Sequence, residues 1–113
     1  MNKEEFYEFL ENRKQTVQAE IQTLSADGRT DEANILKAKY NVYDIGKAVF
    51  GATEKQAGDA VATAFPAAFT KISSSWQVSL DQAKAHDDNR NILIEEAKLS
   101  AVSEITARFA AFI

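Results

Sequence analysis

The single histidine of this chain, His86, is followed directly by Asp87 and Asp88. An imidazole beside carboxylates can hold a metal ion or act as a general base. However, no His or Glu lies three or four residues from His86, so the pair that a helical metal site needs is missing. The same residues also suit a helix end, where the dipole favours an imidazole and an aspartate caps the next helix. We favour this structural role.

Acidic and phenolic side chains suggest two other kinds of chemistry. Glutamates are paired at Glu95-Glu96, but a di-metal bundle site needs Glu-x-x-His and the chain contains none, so we interpret them as surface residues. Tyr40, Tyr43 and Asp44 share one face of a predicted helix and would line a polar pocket in which a phenol acts as an acid. Two tyrosines at this spacing more often lie along a helix seam with their hydroxyls in water, which is the arrangement we favour.

One stretch of the chain is almost free of charge. Asp, Glu, Lys and Arg make up 27% of the residues, yet residues 60–80 contain only one of them, Lys71. A helix on the outside of a small protein normally keeps a charged stripe towards water. Ser73, Ser74 and Ser75 lie in this stretch without a Gly-x-Ser-x-Gly elbow or a Ser-x-x-Lys spacing that would mark a nucleophile. We interpret them as small residues that let a neighbouring helix approach closely.

The large side chains of the same stretch predict an interface. They recur every three or four residues from Phe65 to Leu80, which places them on one side of a helix, while the other side is small and polar. If that other side faced water, it would be an unusually uncharged surface, so we predict a two-fold dimer contact through this helix. The predicted interface residues are Phe65, Phe69, Thr70, Ile72, Ser74, Trp76, Gln77 and Leu80. Trp76 is either an interface anchor or a core residue, and its spacing suits both.

Composition limits the class of protein. A chain of 113 residues without cysteine predicts one domain, residues 1–113, with no disulfide and no thiolate metal site. The net charge is −4 and neither half is basic, so we expect no nucleic-acid partner. No run of about 18 apolar residues occurs, and the charged start MNKEEFYEFLENRK is unlike a signal peptide. We therefore expect no membrane segment, a cytoplasmic location and no bound cofactor.

Apolar residues at intervals of three and four predict an all-α protein. We expect an antiparallel bundle of four principal helices, with a short extra helix before Pro66. The first helix is expected from Asn2 or Lys3 to Ser25, with Asn2 as its cap and Gly28 just beyond its end. The second is expected from Thr30 or Asp31 to Phe50, with Gly51 as its stop.

Proline and aspartate set the predicted boundaries in the second half. The spacing of Thr53 and Gln56 suits a capping box, which would open the short helix that ends at Ala64. Pro66 disfavours helical geometry at the residue before it, so we expect a break at Phe65 and a third helix over residues 66–86. One kinked helix over residues 53–86 is the alternative. Asp87 or Asp88 then caps the last helix, which runs to the chain end.

No arrangement of residues in this sequence identifies a reaction. The leading hypothesis is a non-enzymatic interaction or structural module that works as a homo-oligomer or a protein adaptor. The alternative is a bundle that binds a small apolar ligand between its Phe-rich helices. A third hypothesis is an enzyme that uses His86 and its neighbouring acids. The first predicts a dimer mass, the second an apolar cavity in a monomer, and the third a cleft around His86.

Overall fold

The computed structural model of the protein describes residues 2–112. They form four helices, α1 (Lys3–Ala26), α2 (Thr30–Ala57), α3 (Val61–Ala85) and α4 (Asn89–Phe112), with one 3-10 turn at Gly58–Ala60. Helix accounts for 94% of the structure, and residues 2–112 contain no strand. The predicted all-α bundle of four principal helices is confirmed.

Two of the helices form the centre of the bundle and two form its edges. α2 and α4 are in contact, and α1 and α3 each pack against both of them. Within residues 2–112 the backbones of α1 and α3 do not approach each other closely, and these two helices meet through side chains such as Phe6 and Phe65, whose ring centroids are 5.7 Å apart. The backbone N–H of Asn2 donates to the carbonyl of Phe112 at 3.3 Å, which joins the start of α1 to the end of α4. The molecule measures 44 × 33 × 20 Å, so the bundle is flattened, with α1 and α3 on opposite edges.

Phenylalanine rings fill the end of the bundle at which α1 begins. Each of the four helices supplies one ring, and none is more than 2% exposed: Phe6, Phe50, Phe65 and Phe109. The ring centroids of Phe6 and Phe50 are 4.9 Å apart, and those of Phe65 and Phe109 are 4.6 Å apart. Burying one such ring contributes roughly 1.5–3 kcal/mol to the free energy of unfolding. Because each helix supplies one ring, the cluster is a hydrophobic contact that all four helices share.

The turns after α1 and α3 have the same backbone geometry, and both lie at the other end of the bundle. Gly28 has φ of 73° and Asp87 has φ of 53°, the left-handed conformation that commonly ends a helix. Asp88 then caps α4, because its side chain accepts a hydrogen bond from the backbone N–H of Asn91 at 3.3 Å. Asn2 caps α1 in the same way, accepting from the N–H of Glu5 at 3.1 Å. These predicted helix ends are confirmed.

The predicted end of α2 is wrong. The helix continues through Gly51 to Ala57. Thr53 opens no new helix; its hydroxyl donates back to the carbonyl of Val49 at 2.9 Å and the residue is buried. The turn comes at Gly58, where φ is 57°. The short extra helix expected before Pro66 is therefore reduced to the single 3-10 turn at Gly58–Ala60.

The predicted break at Phe65 is also wrong, since α3 begins at Val61 and runs through Pro66. Val61, Phe65 and Phe69 follow at intervals of four and are at most 2% exposed. Only a helix that is continuous over these residues places all three against the core. The free energy gained by burying these three side chains outweighs two costs of Pro66: the backbone hydrogen bond that proline cannot donate, and its tendency to disfavour helical geometry at Phe65. The alternative of one kinked helix over residues 53–86 does not form either, because the turn at Gly58–Ala60 separates α2 from α3.

Candidate interaction surface

The inward side of α3 contains several of the predicted interface residues. Phe65 is 1% exposed, Phe69 is 2% exposed and Leu80 is 6% exposed. Phe65 and Phe69 belong to the hydrophobic core, so the single chain already covers them. A second chain could reach α3 only from its outward side.

Ile72 lies outside the buried stripe to which we assigned it. The inward position is taken by Ser73, which is buried, while Ile72 is 39% exposed. Ser73 follows Phe69 by four residues and precedes Trp76 by three, so it continues the line that begins at Val61. Its hydroxyl donates to the carbonyl of Thr70 at 3.4 Å, which satisfies a polar group inside the protein.

Trp76 is half-buried and packs against the core. The Nζ atom of Lys98 on α4 lies 4.6 Å from the centroid of its ring, a cation–π contact. The same Nζ is 3.2 Å from the carboxylate of Glu95, one helical turn earlier. The ring of Trp76 is therefore in contact with α4 of its own chain, on the side of α3 that faces the bundle.

The outward side of α3 carries the rest of the predicted interface. We define the α3 face as the six exposed residues Ala67, Thr70, Lys71, Ser74, Gln77 and Val78. Lys71 is its only charged residue, and Val78 is 56% exposed. Ala67, Lys71, Ser74 and Val78 follow at intervals of four, three and four, so they form one straight line along the helix. Ser74 lies near the middle of that line.

The polar side chains on and beside this line form hydrogen bonds within α3 itself. The hydroxyl of Ser74 donates to the carbonyl of Lys71 at 3.0 Å, and that of Ser75 donates to the carbonyl of Ile72 at 3.1 Å. The amide of Gln77 donates to Asp81 at 3.1 Å. Side chains that bond within their own helix have fewer donors left for water, so covering them costs less desolvation free energy.

The other edge of the bundle is very different in charge. α1 and α2 carry eight charged side chains each, whereas α3 carries three, of which two lie beyond Leu80. On that edge Lys14 pairs with Asp44 at 2.9 Å, and Lys47 pairs with Glu11 at 2.6 Å. The charge-poor surface therefore belongs to α3 and is not a property of the whole molecule.

His86 lies at the last turn of α3, as expected for a residue at a helix end. Its backbone N–H donates to the carbonyl of Gln82 at 3.1 Å. The exposed side chain borders a polar groove of about 350 Å³, which Ser79 and Glu95 also line. The carboxylate of Glu95 is held by Lys98 at 3.2 Å. Across residues 2–112, no three His, Cys, Asp or Glu side chains come together in a way that could hold a metal ion.

Tyr40, Tyr43 and Asp44 do not form a common pocket. Tyr43 is fully buried and its hydroxyl donates to Glu104 of α4 at 2.9 Å, so our expectation that this hydroxyl reaches water is wrong. Burial is the main reason that the pKa of Tyr43 is raised above its usual value. Asp44 instead accepts from Lys14 of α1. The two residues bond to different helices, one on each side of α2.

A second surface feature lies where α1 and α2 meet near their connecting turn, and sequence reasoning missed it. We define the tip groove as an open groove of about 620 Å³ lined by Ala19, Glu20, Thr23, Leu24, Glu32, Ile35 and Leu36. We expected an apolar cavity, if present, between the Phe-rich helices, but the rings of Phe6, Phe50, Phe65 and Phe109 fill that space themselves. The signal in the sequence was the pair of adjacent apolar residues Ile35 and Leu36 near the start of α2.

None of the four helices that the structure describes has the length and apolar character that a membrane crossing requires. The chain matches no protein-family model, no curated protein and no solved structure.

Proposed function

We propose that this protein is a non-enzymatic interaction module that self-associates through the α3 face. The observation that carries the proposal is the exposure of this face together with its composition. It presents one charge, Lys71, over about three turns of helix. Val78 on this face and Ile72 next to it are exposed hydrophobic residues. A surface of this kind is typical of protein contacts and atypical of a helix that faces only water.

A two-fold arrangement suits the line of residues along this face. In an antiparallel pair of α3 helices centred on Ser74, each residue before Ser74 lies opposite one after it on the other copy. Ala67 and Ser74 are small, so the two backbones can approach closely. Lys71 would lie opposite Gln77, which keeps the two lysines on either side of the centre and away from each other. Specific interfaces bury about 1,200 Å² or more, so the flanks of α3 would also contribute.

Ser74→Arg tests the proposal, because it places a charge and a long side chain at the centre of the predicted contact. We expect light scattering to give a dimer mass for the parent protein and a monomer mass for Ser74→Arg. Asn41→Arg is the matched control, since Asn41 is an exposed, uncharged residue in the middle of α2. It makes the same change of charge away from α3 and should leave the dimer intact.

Two results would overturn the proposal. One is a monomer mass for the parent at every protein concentration, which would leave the α3 face to a different partner or to none. The other is an equal dimer mass for Ser74→Arg and the parent, which would place the interface elsewhere. Circular dichroism of both variants checks that they remain as helical as the parent, so that loss of the dimer is not loss of the fold.

A further inference from the structure

We infer that the tip groove binds an amphipathic helix of a partner protein, one with aliphatic residues along one side and Lys or Arg at its borders. This inference concerns the opposite edge of the bundle from the α3 face and does not rest on self-association.

The floor of the groove is aliphatic and lacks a third helix. Leu24, Ile35 and Leu36 are only half-buried, although Leu24 and Leu36 pack against the hydrophobic core. All residues that line the groove come from α1 and α2. Further along the same two helices, α4 covers this seam, as shown by the contact of Glu104 with Arg13 and Tyr43. Near the turn, the two helices therefore present an apolar seam of the kind that a third helix covers elsewhere in the bundle.

The charges on the groove select the sign of its partner. Both charged residues that line it are acidic, Glu20 on the α1 wall and Glu32 on the α2 wall. Arg29 donates to both carboxylate oxygens of Glu32, at 3.1 Å and 2.5 Å, and so offsets the charge of that residue. Glu20, together with Asp27 and Asp31 at the turn, keeps this end of the bundle negative. Basic residues at the borders of an incoming helix would be attracted by Glu20 on the α1 wall and by the aspartates of the turn, whereas acidic residues there would be repelled.

The shape favours a helix over a small molecule. Small-molecule sites usually enclose roughly 70–90% or more of the surface of the ligand. This groove is open to solvent and could not enclose a ligand to that extent. An amphipathic helix buries only one of its sides and leaves the other in water, which is what an open groove between two helices allows.

A binding experiment with two designed peptides tests the inference. The probe is a fluorescent peptide of about 14 residues, roughly four helical turns, with Leu on one side and Lys on the other. The comparison peptide has Glu in place of every Lys. We expect fluorescence anisotropy to show binding of the Lys peptide and not of the Glu peptide. Binding should weaken as salt rises, because the Debye length falls from about 10 Å at 0.1 M to about 3 Å at 1 M.

Ala19→Arg locates the binding site. Ala19 is exposed and lines the groove, so an arginine there fills the groove and repels the Lys peptide. We expect at least about a ten-fold loss of affinity, equivalent to about 1.4 kcal/mol. Asn41→Arg adds the same charge outside the groove and should change affinity far less, which separates a specific site from general attraction to an acidic protein.

The inference is wrong if neither peptide binds, if both bind equally, or if Ala19→Arg and Asn41→Arg have equal effects. Binding of a small apolar dye that Ala19→Arg abolishes, without binding of the Lys peptide, would also overturn it in favour of a ligand site. The titration is repeated in Ser74→Arg protein. Because peptide affinity and oligomer mass are separate readouts, failure of this inference is distinguishable from failure of the proposed dimer.

Discussion

The hydroxyl of Tyr43 donates a hydrogen bond to Oε1 of Glu104 at 2.9 Å, although 61 residues separate them in the chain. The same oxygen accepts from Nε of Arg13 at 2.8 Å. One carboxylate oxygen of α4 therefore bonds to a residue of α2 and a residue of α1. The guanidinium carbon of Arg13 also lies 5.5 Å from the centroid of the Tyr43 ring, so the three side chains form a single cluster where α1, α2 and α4 meet.

Replacing Tyr43 with phenylalanine tests the energetic importance of this cluster. Phenylalanine fills the same space, and Glu104 keeps its bond to Arg13, so the change removes mainly the hydroxyl bond to a charged group. We expect the free energy of unfolding to fall by about 1–2 kcal/mol, measured by urea denaturation. Tyr40→Phe is the control, because Tyr40 is only half-buried, and it should change stability by less than about 0.5 kcal/mol. Equal losses for the two variants would contradict the role of the Glu104 bond.

The same tyrosine predicts a loss of stability in alkaline solution. Burial raises the pKa of Tyr43 above its usual value of about 10, so the folded protein holds this proton more tightly than the unfolded chain does. The contribution of the protonated Tyr43 to the free energy of unfolding is fully present below about pH 10. It is lost as the pH rises through the higher pKa of the folded state. We expect Tyr43→Phe to lose less stability than the parent between about pH 9 and 11. Parallel losses in both proteins would contradict this prediction.

Acid should weaken a different contact between α1 and α2, the one that Glu11 makes. A hydrogen bond from Lys47 at 2.6 Å, with Lys14 also nearby, lowers the pKa of the Glu11 carboxyl. The resulting stability is present above its ordinary pKa of about 4.3 and is lost as pH falls through the lower value in the folded state. Because Glu11 is 39% exposed, water screens the pair and the effect is below about 1 kcal/mol. Glu11→Gln should weaken the acid dependence of the denaturation midpoint, and Glu8→Gln, at an exposed glutamate of the same helix, should not.

Gly51 is a position at which the protein can be made more stable. It lies inside α2, where glycine is less favourable than alanine by about 0.5–1 kcal/mol. A β-carbon there would lie 3.2 Å from the hydroxyl of Tyr7, which is the outer end of a partly exposed side chain and can move slightly. We therefore expect Gly51→Ala to raise the free energy of unfolding by about 0.5 kcal/mol or more, measured by urea denaturation. A decrease would mean that the Tyr7 ring cannot adjust.

Gly46 lies in the same helix but should respond differently. A β-carbon there would lie 3.2 Å from Cδ1 of Ile105 and 3.9 Å from Cδ2 of Leu10, two fully buried side chains. Relieving this contact requires the core between α2 and α4 to shift, which offsets the gain in helix propensity. We expect Gly46→Ala to be less stable than Gly51→Ala by about 1 kcal/mol, and Gly46→Leu to be destabilising by about 1–3 kcal/mol. Equal stability of the two alanine variants would show that Ile105 can move away from a β-carbon at position 46 without cost.

The parts of the fold that could be predicted from sequence are those that depend on local chemistry. Asn2, Gly28 and Asp88 end or begin helices through bonds to residues within a turn of them, so their roles could be inferred from residue type and spacing. Gly51 and Pro66 carry equally strong local signals, yet the helices run through both. In each case residues on both sides of the signal are buried in the same core, Phe50 and Thr53 around Gly51 and Phe65 and Phe69 around Pro66. That requirement is set by other helices.

The candidate surfaces were only partly predictable for a similar reason. The absence of charge from residues 60–80 is visible in the sequence, and it correctly directed attention to α3 as a charge-poor helix. Whether Ile72 or Ser73 faces inward depends on the exact rotation of α3 against α2 and α4, which spacing alone does not determine. The bond between Tyr43 and Glu104 depends on how distant segments align, so no local pattern indicated it. The tip groove depends on which part of the seam between α1 and α2 is left uncovered by α4, and the apolar residues Ile35 and Leu36 alone do not determine that.

The position of α1 and α3 on opposite edges of the bundle has a consequence for how many targets one assembly can hold. In a dimer formed through the α3 face, the two tip grooves would lie on the outer edges, tens of ångströms apart and free of the interface. Each assembly would then be bivalent. A partner with two basic helices joined by a linker of matching length would gain avidity, because the first contact raises the effective concentration of the second helix near the other groove. A partner with only one such helix would instead be cross-linked to a second copy of itself.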